Sequence, residues 1–267
     1  MSSEIERLAS EYRQEAHSRR FFDLNLWWDL SPQNAFYLPE RFEQAFQDLR
    51  RSGVDRAVVS SAACIEYDPL DGNERIARLI ADQPDLFGAM VLVPDIALAR
   101  RSPEAYIDAK IDERFVIARM FPKTLKHSMK PWQVGDMLTH LEARRLPLML
   151  WHNEVSWDLV EGLCQGYPEL PIIVEGNDVK LLYHNRNYLA LLKHCPNLYL
   201  ETHNLVLYAE IDHLAGQIAP DRLLFGTYFP YNTPHPALFS ILRARVPEAV
   251  KDQLAAGNLE RLLAQIR

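Results

Sequence analysis

The chain has 267 residues, 48% of them hydrophobic and 24% charged, and carries a net charge of −7. That much apolar and aromatic side chain excludes a disordered polypeptide, and an acidic balance without clustered Lys or Arg excludes a nucleic-acid surface and an anionic-membrane partner. Cys64, Cys164 and Cys195 are odd in number, widely spaced and without a CxxC pair, which points to a reducing cytoplasm rather than a zinc knuckle.

The opening string MSSEIERLASEYRQEAHSRR carries charge throughout and lacks the apolar centre of a secretory signal. Its periodicity predicts an amphipathic helix over about residues 3–18. No apolar run approaches the ~20 residues needed to cross a bilayer. A soluble cytoplasmic protein is expected.

Beyond the opening helix, β-rich runs and helical segments alternate. The runs are FFDLNLWW (21–28), RAVVSSA (56–62), FGAMVLV (87–93), FVIARMF (115–121), PLMLWH (147–152), PIIVEG (171–176), NLYLET (197–202) and RLLFGTY (222–228). Helical periodicity fills the gaps, for example at 41–53, ending on Gly53, and at 73–84, ending before Pro84. Ser102, Pro103 and Glu104 form a helix start, with a capping hydroxyl and a proline in the first turn. Further helical patterns cover about 131–145, 156–166, 178–194, 206–218 and 235–265. Strands apolar on both faces and separated by crossover-length helices imply parallel pairing under a helical coat. Eight such units predict a (β/α)8 TIM barrel over residues 20–267, with residues 1–19 as an extra N-terminal helix packed on it. An open doubly wound sheet would use fewer strands, and no GxGxxG follows the first run.

Four strings, GNERIARLIADQPDLFGAMVLVP (72–94), PNLYLET (196–202), PDRLLFGTYFP (220–230) and AAGNLERLL (255–263), occur in an order and at distances that resemble the amidohydrolase-related family. This is the branch of the amidohydrolase superfamily that includes aminocarboxymuconate-semialdehyde decarboxylase-like enzymes and lactone hydrolases. The resemblance spans roughly residues 20–265 and implies a metal site at the C-terminal ends of the strands. In that family the first strand ends in Asp or Glu, x, His, x, His, and here the string is Asp23, Leu24, Asn25, Leu26, Trp27. The family's strand 5 histidine falls on Trp151, with His152 next in line. Its strand 6 histidine falls on Gly176, and its strand 8 aspartate on Tyr228. Every mapped ligand is altered, so neither metal nor other cofactor is expected.

Function in such a barrel sits at the C-terminal strand ends. There His152, Glu175 and His203 are candidate catalytic residues, a carboxylate orienting imidazoles for acid/base work. Arg119 is a candidate anchor for a substrate carboxylate, although an ion pair with a nearby acid is an equal reading. Asn25, Trp27, Trp151, Asn177 and Tyr228 are candidate substrate contacts, the aromatics occupying space vacated by metal and ligands. Ser60 and Ser61 lack a GxSxG elbow, and Cys64 reads as a buried inert thiol. His17, His140, His184, His194, His213 and His235 read as surface or packing residues. A relocated metal site built from His152, His203 and Glu175 or Glu201 is the alternative at the mouth.

Two functions follow. One is a metal-independent hydrolase, lyase or decarboxylase acting on a small carboxylate-bearing substrate. The other is a catalytically silent barrel kept as a ligand-binding or protein-interaction module, which predicts aromatic side chains touching across the mouth. The opening helix, with no place in a minimal barrel, suggests a homodimer.

Overall fold

The computed structural model describes residues 2–29, 41–94, 102–176, 181–206 and 209–267. Strands β1 (Phe21–Trp28), β2 (Val54–Ser61), β3 (Leu86–Val91), β4 (Phe115–Arg119), β5 (Leu148–Trp151), β6 (Ile172–Glu175), β7 (Leu198–Glu201) and β8 (Leu223–Leu224) pair in parallel and in sequence order. The last strand returns to the first. Leu24 N–H donates to the Phe225 carbonyl at 2.9 Å and Trp27 N–H to that of Phe229 at 2.8 Å. The expected eight-stranded TIM barrel is therefore the fold, closed so that no apolar strand edge is left unpaired.

Helix α1 (Ser2–Arg19) precedes the first strand, and α2 (Phe42–Arg51), α3 (Ala63–Glu66), α4 (Pro69–Ile80), α5 (Pro103–Asp112), α6 (Pro131–Arg144), α7 (Trp157–Gly166), α8 (Asn185–His194), α9 (Glu210–His213), α10 (His235–Leu242), α11 (Glu248–Asp252) and α12 (Asn258–Leu263) lie between and after the strands. The expected cap operates at α5, where the Ser102 hydroxyl accepts from Ala105 N–H at 3.1 Å and Pro103 leads the first turn. Asn258 of α12 donates to the carbonyls of Pro220 and Leu223 at 2.7 and 2.9 Å, tying the closing helix to the short last strand. Buried Asn73 of α4 holds β3 in the same way, bonding both the N–H and the carbonyl of Val91.

Residues of the opening helix meet Gly53, α10 and α11. Gly53, at φ +108°, lies so close to Ala16 that a Cβ there would sit 2.8 Å from the alanine methyl. Arg19 pairs with Asp252 at 2.5 Å and with Glu248, and Tyr12 contacts His235 and Phe239 of α10.

Inward side chains of the strands fill the barrel in layers. The lower interior is apolar, built from Phe22, Leu24, Val58, Ala89, Ile117, Met149, Ile173 and Leu224. One step toward the C-terminal ends, the same strands carry buried polar groups instead: Asn25, Ser60, Arg119, Glu175 and Glu201. Above them Trp27, Phe121, Trp151 and Tyr228 form an aromatic cluster.

Candidate active site

The polar layer begins with an irregularity in β1. Pairing with β2 shifts between Asp23 and Leu26, so inward-facing positions move from Phe22 and Leu24 to Asn25 and Trp27. Asp23, fully buried beside the bulge, accepts from Asn25 N–H at 2.8 Å, from Thr227 N–H at 3.0 Å and from the Thr227 hydroxyl. These bonds clamp β1 to the segment after β8. Burial pushes the Asp23 carboxyl up to about 6 against the pull of those hydrogen bonds.

Asn25 is the hub of the layer. Its Nδ2 donates to Glu175 and, at 3.3 Å, to Glu201 Oε2, while its Oδ1 accepts from Trp27 Nε1 at 2.8 Å and Arg119 Nη1 at 3.3 Å. Arg119, with no exposed surface, pairs through Nη2 with Glu175 Oε1 and donates through Nη1 to Ser60 Oγ at 2.9 Å. Its guanidinium carbon lies 4.6 Å from the centre of the Trp27 ring. Burial lowers the Arg119 pKa to about 9, which leaves it a cation at neutral pH.

Glu201 ends β7 and His203 lies two residues beyond it, in the turn that follows. Glu201 Oε1 accepts from His203 N–H at 2.7 Å and Oε2 accepts from the ring Nδ1. An ionised carboxylate can only accept, so Nδ1 carries the proton in that state. Gly226 makes room for this carboxylate, since a Cβ there would lie 2.1 Å from Glu201 Oε1. The His203 ring stacks on Tyr228, centroids 4.9 Å apart and planes at 17°, and Tyr228 stacks in turn on Tyr231 at 4.6 Å. Tyr228 adopts φ +56°, a left-handed conformation uncommon for an aromatic residue, and lies edge-on to Trp27. A groove of about 510 Å³ reaches His203 and is lined also by Leu205, Glu210, Phe239 and Arg243.

Seven of the residues expected from sequence thus meet at the mouth: Asn25, Trp27, Arg119, Trp151, Glu175, His203 and Tyr228. Arg119 is there as the ion-pair partner of Glu175, the second of its two readings. His152 follows β5, and its backbone N–H donates to the Glu175 carbonyl at 3.0 Å. It is buried against His184 with ring centroids 5.0 Å apart, and His184 Nδ1 accepts from Trp157 Nε1 at 3.0 Å. Asn177 lies outside the described residues. Glu175, a candidate from sequence, faces into the barrel, and a Cβ on the next residue, Gly176, would meet the Asn204 side chain. Glu201 did not enter the expected catalytic set, although its i, i+2 spacing from His203 was a usable signal. Ser60 serves Arg119 rather than any nucleophilic role, and burial pushes the Cys64 thiol up to about 12, leaving it inert.

Glu175, Glu201 and His203 each offer an atom within 4.8 Å of the others, a spacing that a divalent ion can span. The donors around them argue otherwise. Glu175 Oε1 is engaged in the ion pair with Arg119, the other oxygens of Glu175 and Glu201 accept from Asn25 or His203, and a guanidinium stands where a dication would be repelled. As arranged, these residues do not fit a metal.

Sequence comparison matches the chain to no family profile and to no curated relative. Solved structures match at the level of fold. A TIM-barrel protein from Bordetella bronchiseptica aligns at 16% identity over 92% of this chain and 98% of its own, with a TM-score of 0.71. 2,6-Dihydroxybenzoate decarboxylase from Rhizobium (15%; 91% and 98%; TM-score 0.68) and 5-carboxyvanillate decarboxylase from Sphingomonas paucimobilis (15%; 93% and 99%; TM-score 0.68) are similar in the same way.

Proposed function

We propose that this barrel is an amidohydrolase-related enzyme that works without a metal, as a hydrolase or carbon–carbon lyase on a small carboxylate-bearing substrate. The observation that carries the proposal is the buried His203–Glu201 pair at the end of β7, bordered by the groove that reaches His203. A carboxylate fixing one ring nitrogen of an imidazole prepares the ring for proton transfer. In a decarboxylation, the bond to the departing carboxyl breaks, CO2 leaves, and the electron pair on carbon takes a proton from the His203 ring. In a hydrolysis, the ring takes the proton of the attacking water and returns it to the leaving group. Asn25, Glu175 and Arg119 hold Glu201 and the mouth in place, while Trp27, Trp151 and Tyr228 form the aromatic wall. His152, whose ring lies beside His184, is kept as a second candidate acid/base group, and Asn177 is retained as a contact. Decarboxylases among the structural neighbours support the carboxylate class. The three buried free thiols accord with a reducing cytoplasm, and among the described residues no helix is long and apolar enough to cross a membrane.

A panel of aromatic and aliphatic carboxylates, assayed for CO2 release and for hydrolysis, tests this. His203→Ala is expected to lower turnover on the order of 100-fold or more, the usual contribution of a general acid or base, with little change in melting temperature. Equal turnover in wild type, His203→Ala and His152→Ala would refute it.

The aromatic closure favours a second reading, a silent barrel kept for ligand or partner binding. Trp27 and Phe121 are fully buried and Tyr228 nearly so, as a plugged mouth requires. No turnover across the panel, together with saturable binding of one of its members, would select this reading.

A further inference from the structure

We infer that Arg119 is a built-in cation that bars divalent metal from the barrel mouth, and that removing its charge turns Glu175, Glu201 and His203 into a divalent-cation site. The inference rests on the metal-independent reading above and deepens it, since it names the group responsible.

Three observations meet here. Glu175, Glu201 and His203 already possess the mutual spacing of a three-ligand site, with two carboxylates at the ends of adjacent strands β6 and β7 and one imidazole from the turn after β7. All three are buried, so the two acids sit in a poorly screened environment that demands positive charge nearby. The guanidinium meeting that demand is held by more than charge. Nη2 is on Glu175, Nη1 is on Ser60 and Asn25, and the planar head lies over Trp27 and near Phe121. A side chain held by an ion pair at Nη2, by hydrogen bonds at Nη1 and by two aromatic rings has no low-cost route out when an ion arrives.

The replacement is selective. A monovalent guanidinium supplies one positive charge and directional N–H groups but no open coordination position. It can neutralise and orient the acids without acting as a Lewis acid. Asn25 completes the block, because its Nδ2 donates into the same space between the two carboxylates.

The test is metal retention. Wild type, Arg119→Met, Arg119→Gln and Arg119→Met/Glu175→Gln are stripped with chelator, offered zinc or manganese, desalted, and measured by elemental analysis, calorimetric titration and thermal melting. Wild type is expected to retain no stoichiometric metal and to show no stabilisation. Arg119→Met is expected to retain about one ion per chain and to bind on the order of 100-fold or more tighter than wild type, as loss of a nearby positive charge requires. Arg119→Gln keeps a donor for Glu175 and supports folding if the methionine variant is unstable; it is expected to gain binding in the same direction. Adding Glu175→Gln should abolish the gain. Stoichiometric metal on stripped and reloaded wild type overturns the inference, as does failure of zinc and manganese to bind or rescue both single variants. Turnover through His203 in a wild type that holds metal would sink this inference and spare the acid/base reading; silent wild type with metal gain in the variants would do the reverse.

Discussion

Asp23 shows how one residue serves both geometry and energetics. It is fully buried, it accepts three hydrogen bonds, two of which join β1 to the segment after β8, and burial raises its pKa to about 6. The folded chain then holds its proton more tightly than the unfolded chain, so the contribution to stability is complete below the unfolded value near 3.8 and is lost as pH rises to about 6. Across that window the loss is on the order of 3 kcal/mol. Asp23→Asn is expected to remove it: the melting temperature of wild type relative to the variant should fall between pH 4 and pH 6. Parallel pH profiles for the two proteins would reject the assignment. The same accounting at the mouth explains why Arg119, Glu175, Asn25 and Glu201 form a connected set, since any one left alone in that interior would be a buried unpaired group.

At the scale of elements, the site depends on two strands meeting without a side chain between them. Gly226, just past β8, leaves space that the Glu201 carboxylate on β7 occupies. Its conformation is open to any residue, so the requirement is room rather than dihedral freedom. Gly226→Ala is expected to destabilise by about 3 kcal/mol, at the upper end of ordinary overpacking costs, and to displace Glu201 from His203. Gly162 in α7 is the control, because a Cβ there meets nothing within 4 Å. Gly162→Ala should be neutral or stabilising by about 1 kcal/mol, as expected for an exposed helix interior. Denaturant unfolding of both variants measures the contrast, and an equal response would show that the strand contact is not tight.

For the whole molecule, the question is what covers the outer face of α1. Ile5, Leu8 and Tyr12 share one side of the helix by their spacing. Tyr12 is used inside the chain against α10, whereas Ile5 and Leu8 are 65% and 51% exposed. The proposed homodimer places a second copy there. Light scattering is expected to give a dimer for wild type and a monomer of unchanged helicity for Ile5→Asp/Leu8→Asp. A monomeric wild type would remove the dimer and leave the site untouched.

Alternation of buried strands with amphipathic helices is a local property, and it was enough to specify the barrel, its strand order and the identity of its C-terminal rim. That Asn25, Trp27 and Tyr228 stand at three of the rim positions could also be read directly from the string. Which rim residues touch could not. Asn25 reaches Glu175 and Glu201 across 150 and more residues, and it faces inward only because β1 bulges after Asp23. A one-residue shift of that kind reverses the face a strand side chain occupies, so the side on which Asn25 lies could not be read from alternation alone. His152 and His203 look equivalent in sequence, yet ring closure puts one beside His184 and the other beside Glu201 and Tyr228. Periodicity records which way a residue points within its own element; only the closed barrel decides what it meets there.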